Sequence, residues 1–134
     1  MDRKQLNDWL DGYIRLWKTP GTDELGSLFR EDAVYLIGPF EEPAEGLQAI
    51  AELWERERRA PDEEFEFDRE IVAVDGDTGV ARLEVRYGPP IDQIYRDLWV
   101  IRLDEDGRCF RFEEWPHWPE QSTVAPGKEA QQRS

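Results

Sequence analysis

The chain has one cysteine and one histidine in 134 residues, and that scarcity excludes several chemistries at once. Cys109 has no partner for an internal disulfide, so a reducing, cytoplasmic location is expected. A single thiol and a single imidazole without clustered partners argue against a dedicated metal site, and no cofactor is implied. Positive charge is also short: 17 Lys and Arg stand against 31 Asp and Glu, a formal net charge of −14. A surface that acidic repels phosphate backbones and anionic headgroups, so neither nucleic acid nor membrane is an expected partner. No apolar run approaches the roughly 20 residues of a membrane helix, and the opening residues contain no apolar signal-peptide core.

Aromatic residues are what the chain has in quantity: six Trp, four Tyr and six Phe, with 39% hydrophobic residues overall. Its length suits one domain with one core. From about Arg3 to Lys18, Leu6, Leu10, Tyr13, Ile14 and Trp17 recur at three- and four-residue spacing, the stripe of a buried helix face. Thr19-Pro20-Gly21 ends that helix. Thr22 is placed to cap a second, short one carrying Leu25, Leu28 and Phe29. A strand is expected over 33–37, then a loop over 38–45 with two prolines, then a third helix from Leu47 to about Arg59. On its wet face Glu52/Arg56 and Glu55/Arg59 stand four residues apart, a spacing that solubilises a helix. Past Pro61 the period changes to two. Strands follow around Phe65–Ile71, Ala81–Tyr87, Gln93–Leu103 and Arg108–Trp115, joined by Gly-containing turns. The expected architecture is α+β, with three N-terminal helices on a curved, mostly antiparallel sheet. Residues 1–118 form the domain, and the polar, aperiodic residues 119–134 read as a flexible tail.

The segment from Leu28 to Trp54, LFREDAVYLIGPFEEPAEGLQAIAELW, and the stretch Arg102–Arg108 resemble the NTF2-like superfamily, in its SnoaL-like and ketosteroid-isomerase-like branch. The resemblance covers about Leu6 to His117. It implies the cone-shaped, cystatin-like fold around a single pocket, a small-molecule ligand or substrate, and a homodimer through the outer sheet face near Leu98 and Val100. It does not carry over ketosteroid isomerase chemistry. Tyr13 stands where the isomerase tyrosine is expected, but the base position falls on Ile37 and the oxyanion acid position on Trp99. The epoxide hydrolases of the superfamily suggest a trio of Arg69, Asp97 and Glu114, although their Arg-x-Asp strand motif is missing. The dehydratases would want pocket histidines, and only His117 exists.

Strand alternation assigns the pocket face. With Arg96 and Arg102 outward, Tyr95, Asp97 and Trp99 point inward, opposite Leu83, Val85 and Tyr87. Tyr35 on the first strand, Arg69, and Phe110, Phe112 and Glu114 on the last share the inner parity, unless a bulge shifts the last strand's register after Phe112. A buried carboxylate needs a partner, a raised pKa or a route to water, so Asp97 is either an acid/base group or the partner of an arginine such as Arg69. The catalytic candidates are Asp97, Tyr13, Glu114 and His117, the last also readable as a lip residue. The ligand-pocket candidates are Trp17, Tyr35, Trp54, Arg69, Tyr87 and Trp99, of which the tryptophans could equally be plain core. The expected function is an aromatic pocket for an apolar neutral or cationic small molecule. The alternatives are a cofactor-independent acid/base enzyme using Asp97, of dehydratase, cyclase or epoxide hydrolase type, and a noncatalytic dimeric module whose cone is filled by side chains.

Overall fold

A computed structural model describes residues 1–58, 64–91 and 93–119. The expected tail, the Glu55–Arg59 pair and Pro61 lie at or beyond residues outside that set. Helix α1, Arg3–Trp17, opens on a reciprocal cap: the Asp2 carboxylate accepts the Gln5 N–H at 2.8 Å, and the Gln5 side chain accepts the Asp2 N–H at 2.8 Å. Those two bonds satisfy donors that the first helical turn leaves free. The helix buries Leu6, Trp9, Leu10, Tyr13 and Leu16. Trp9 and Leu16 therefore take the core places expected of Ile14 and Trp17, which are half-buried at one side.

Only two α-helices form among the described residues, not three. The expected second helix is a single 3₁₀ turn, Leu25–Ser27, without a side-chain cap. It is cut short because strand β1, Phe29–Ile37, starts four residues earlier than local pattern suggests. The Leu28 carbonyl accepts both the Cys109 N–H, at 2.8 Å, and the Trp9 indole N–H, at 3.0 Å. Long-range pairing thus captures the segment before a second helical turn can form. The two-residue strand β2, Ala44–Glu45, pairs with β1, and Gly46, at φ 90°, turns the chain into helix α2, Leu47–Glu57. That left-handed backbone is one that only glycine adopts without cost.

Four more strands complete one sheet: β3 Phe65–Asp75, β4 Thr78–Tyr87, β5 Gln93–Leu103 and β6 Cys109–His117. Their order is β2-β1-β6-β5-β4-β3, antiparallel except where β1 runs parallel to β6. A β-bulge separates the pairs Arg102↔Arg111 and Leu103↔Cys109, so Phe110 is the extra residue. This corrects the inward expectation for Phe110, whose ring instead meets the Arg102 guanidinium at 5.0 Å and that of Arg30 at 5.9 Å. Cys109 and Phe112 on either side are fully buried.

The helices pack on the sheet through an aromatic core. The Tyr13 ring lies 4.7 Å from Trp99, 4.9 Å from Trp54 and 5.6 Å from Phe112. Tyr35 stacks on Phe112 at 4.4 Å, and Trp9 meets Phe29 edge-on at 5.7 Å. At Gly79 on β4 the helix α1 comes close, since a Cβ there would stand 2.7 Å from Leu6 Cδ2. At the other end α2 is tied down by Arg58. Its guanidinium, 3% exposed, donates to the carbonyls of Thr19 at 2.8 Å, Gly21 at 3.2 Å and Leu16 at 3.4 Å, and pairs with Glu55 at 2.5 Å.

Candidate active site and ligand cavity

The strand registers bring four residues into one patch. Trp99 on β5 faces Glu114 on β6, and Glu114 faces Ile37 on β1. Asp97, two residues before Trp99, shares its inward parity and pairs with Pro116. Arg96 and Leu98 point the other way and stay exposed. Above this patch lies a cavity of about 350 Å³ between the inner sheet face and the two helices. Nine of its seventeen lining side chains are aromatic, three are carboxylic acids and none is basic. The buried residues Tyr13, Tyr35, Asp97 and Trp99 form its inner end, and exposed Glu57 and Trp118 mark where it meets solvent.

Two polar pairs face this space. The Tyr13 and Tyr35 hydroxyls are 2.6 Å apart, and burial raises both phenols well above their ordinary pKa. They are neutral donors and acceptors at any physiological pH. The second pair is Asp97 with Glu114. Asp97 is 6% exposed; its Oδ2 accepts the Trp99 indole N–H at 3.1 Å, while Oδ1 meets no protein N–H. Burial raises the Asp97 pKa, against the stabilising influence of Trp99, of a hydrogen bond with Glu114 and of the neighbouring His117. Glu114 is raised further, first by burial and then by the Asp97 charge and the hydrogen bond to Asp97. Two like charges this close are costly away from bulk water, so the pair favours one shared proton, carried by Glu114.

The remaining site candidates fall on either side of the wall. Trp17 and Tyr87 line the cavity. Trp54 does not: it is fully buried behind the wall, its ring 4.9 Å from both Tyr13 and Trp17. Arg69 does not either. Its guanidinium reaches over to Asp11 on α1 at 2.6 Å, so it pairs with neither Asp97 nor Glu114. That geometry removes both the arginine-partner reading of Asp97 and the three-residue hydrolase arrangement. The His117 side chain is exposed and lies off the wall. Phe65, Phe67 and Tyr95 line the cavity as well. Their strand parity is visible in the sequence, whereas Glu57 and Trp118 reach the wall through the way the ends of α2 and β6 converge, which has no local signal.

Ile37 and Trp99, at the positions where an isomerase base and oxyanion acid would stand, both line the wall. Neither can take or give a proton there. Cys109 is buried, and its thiol is pushed up to about 12 by desolvation. No group of three or more His, Cys, Asp or Glu residues able to hold a metal ion occurs among the described residues. No helix among them is long and apolar enough to cross a membrane.

A model of the SnoaL-like domain family matches residues 10–112. No curated protein matches the chain. Among solved structures, a provisionally named isomerase of the SnoaL-like family from Agrobacterium tumefaciens is 19% identical; the match covers 85% of this chain and 98% of that one, with a TM-score of 0.68. A steroid delta-isomerase from Pseudomonas aeruginosa is 22% identical, covering 96% and 90%, with a TM-score of 0.60. An epoxide hydrolase of the LEH-like type from M. tuberculosis is 14% identical, covering 85% and 84%, with a TM-score of 0.61. At these identities the likeness is one of fold.

Proposed function

The chain belongs to the SnoaL-like domain family, and from that premise we propose that its cavity takes up a small, largely apolar molecule, neutral or cationic, with the molecule's polar end at Asp97 and Glu114. The observation that carries this reading is the cavity itself: about 350 Å³ of space with predominantly aromatic walls and one pair of convergent carboxyl groups. Such a mixture suits ligands that bury most of their surface and are oriented by a few polar contacts. An open cavity also speaks against the alternative of a cone filled by its own side chains.

The test is to fill the space. Val85 lies on the wall and is 8% exposed, so Val85→Trp projects an indole into the cavity. Indole and phenyltrimethylammonium serve as neutral and cationic probes, followed by quenching of the wall tryptophans. The wild-type protein should bind at least one of them, and the variant, shown to be folded by circular dichroism, should bind neither. Equal binding by the variant would place the ligand elsewhere.

A second reading is supported by the buried Asp97 carboxylate on the cavity wall beside Glu114. In it the protein is a cofactor-independent acid/base enzyme: Asp97 accepts a proton from the bound molecule through Oδ1, Glu114 holds or returns one, and the Tyr13–Tyr35 pair donates to a developing oxyanion. Unchanged turnover in Asp97→Asn, on any substrate found, would remove Asp97 as the base. The outer sheet face supports a homodimer, because Leu98 and Trp115 pair across β5 and β6 and remain exposed. Light scattering at micromolar concentration should then give twice the chain mass.

A further inference from the structure

We infer that the cavity selects organic monocations over neutral molecules of the same shape, the charged nitrogen sitting among the aromatic faces with Asp97 as its counter-ion. This rests on the small-molecule reading above and narrows it to a ligand class.

The first ground is charge. The wall carries Asp97, Glu114 and Glu57 and no basic side chain among the described residues. With one proton held by the Asp97–Glu114 pair, two negative charges remain on the wall. An anion would meet both without a compensating donor of positive charge. The second ground is Asp97 itself: a 6% exposed carboxylate on the cavity wall, with the Trp99 indole N–H on Oδ2 and no salt bridge among the described residues. A buried carboxylate without a salt-bridge partner is balanced when an opposite charge enters. The third is the wall material. Tyr13, Trp17, Tyr87, Tyr95, Trp99 and Trp118 present π faces or edges around one volume, and a cation held within about 6 Å of such rings gains most where water is excluded. One wall ring already does this within the chain: the Lys18 ammonium lies 4.5 Å from the Phe65 centroid.

None of the three grounds alone would choose the ligand. Aromatic walls accept any apolar molecule, and a carboxyl pair accepts any hydrogen-bond donor. Together they favour a group that is apolar at its surface and positive at its centre, as in a quaternary or tertiary ammonium, over an alcohol or a carboxylate.

The experiment compares three probes of one shape by calorimetric titration of the full chain: phenyltrimethylammonium, its neutral carbon isostere tert-butylbenzene, and the anion benzenesulfonate. The cation should bind about tenfold more tightly than the isostere, and benzenesulfonate should not bind measurably. Asp97→Asn should abolish the preference while leaving tert-butylbenzene affinity within about twofold, since the amide keeps the shape. Glu57→Gln, on an exposed side chain at the mouth, should weaken only the cation, by about twofold; it keeps the test open should the Asp97 variant fold poorly. If tert-butylbenzene binds as tightly as the cation, the selectivity is overturned and the small-molecule reading stands. If none of the three binds, both fall.

Discussion

Arg58 and Asp97 are the two charged side chains that the fold buries among the described residues, 7% and 6% exposed, and it treats them in opposite ways. Arg58 sits where the ends of α1 and α2 meet and is saturated: three backbone carbonyls and the Glu55 carboxylate take its N–H groups. Asp97 sits on the cavity wall with the Trp99 indole N–H on Oδ2, Glu114 beside it and no salt bridge among the described residues. A buried charge with every partner supplied by its own chain has its capacity used in holding the chain together. One left short of partners keeps capacity for something that comes from outside. The contrast separates a structural ion from a functional one without reference to any relative.

The sharpest way to break the contrast is to remove each charge in turn. Arg58→Ala takes away the donors of Leu16, Thr19 and Gly21 in a place water reaches poorly. It should cost about 3 kcal/mol of stability, read as a lower urea midpoint at unchanged slope. Ligand affinity per folded molecule should not change. Asp97→Asn should do the reverse. Its ionised form is disfavoured by burial, so the neutral amide should leave stability unchanged or raise it by about 1 kcal/mol, while binding of a cationic probe is lost. Were Asp97→Asn to destabilise as strongly as Arg58→Ala, the carboxylate would be structural and the contrast void.

The two residues were also unequally legible. Asp97 is visible in the sequence because its strand alternates cleanly: Arg96 and Leu98 point outward, so a carboxylate between Tyr95 and Trp99 must point in. Arg58 gives no such sign. One charged residue among Glu55, Arg56, Glu57 and Arg59 at a helix end reads as wet surface, and only the return of residues 16–21 beneath α2 turns it inward. The same division runs through the fold. The α1 stripe, the β3–β4 hairpin and the parity of β4 and β5 follow from local periodicity, whereas the early start of β1 and the loss of the second helix follow from parallel pairing of β1 with β6, and the displaced Phe110 from the bulge between β5 and β6. Arg69 has the inward parity of Phe67 and Ile71, yet its long side chain reaches out of the sheet face to Asp11. Parity places a Cβ; it does not place a guanidinium five bonds further on.

A pH titration sharpens the comparison from the side of Glu114. Its folded pKa lies well above the unfolded value of about 4.3. The folded chain therefore keeps a proton that the unfolded chain releases, and the stability this gives is complete below the unfolded value and is lost as pH rises through the folded one. Asp97 shifts in the same direction. The half-buried carboxylates of Asp77, paired with Arg102, and Glu84, paired with Arg96, are lowered and act oppositely, losing their contribution only in acid. Glu114→Gln should therefore remove much of the decline in stability on the alkaline side of pH 5 and leave the acid limb as it is. Thermal midpoints from pH 4 to 9 would show it, and a slope unchanged by the substitution would mean that Glu114 is not the residue holding the proton.

Cys109 supplies the mildest test, because it is a buried titratable group that belongs to neither class. It is wholly inside, its Sγ–H donates to the Arg111 carbonyl at 3.2 Å, and desolvation pushes the thiol up to about 12. It stays neutral, so it neither demands partners as Arg58 does nor waits for one as Asp97 does. An uncharged thiol behind the Phe110 bulge is a poor nucleophile. Labelling by a thiol reagent at pH 8 should then be slow in the native protein and proceed at the rate of global unfolding. It should be fast in urea and accelerated in Arg58→Ala in proportion to the stability lost. Asp97→Asn should leave the native rate unchanged or slow it. A native Cys109 that labels at the rate of a free thiol would show that the core around β6 opens locally, and then Glu114 on the same strand could not be as sheltered from water as the proton it holds requires.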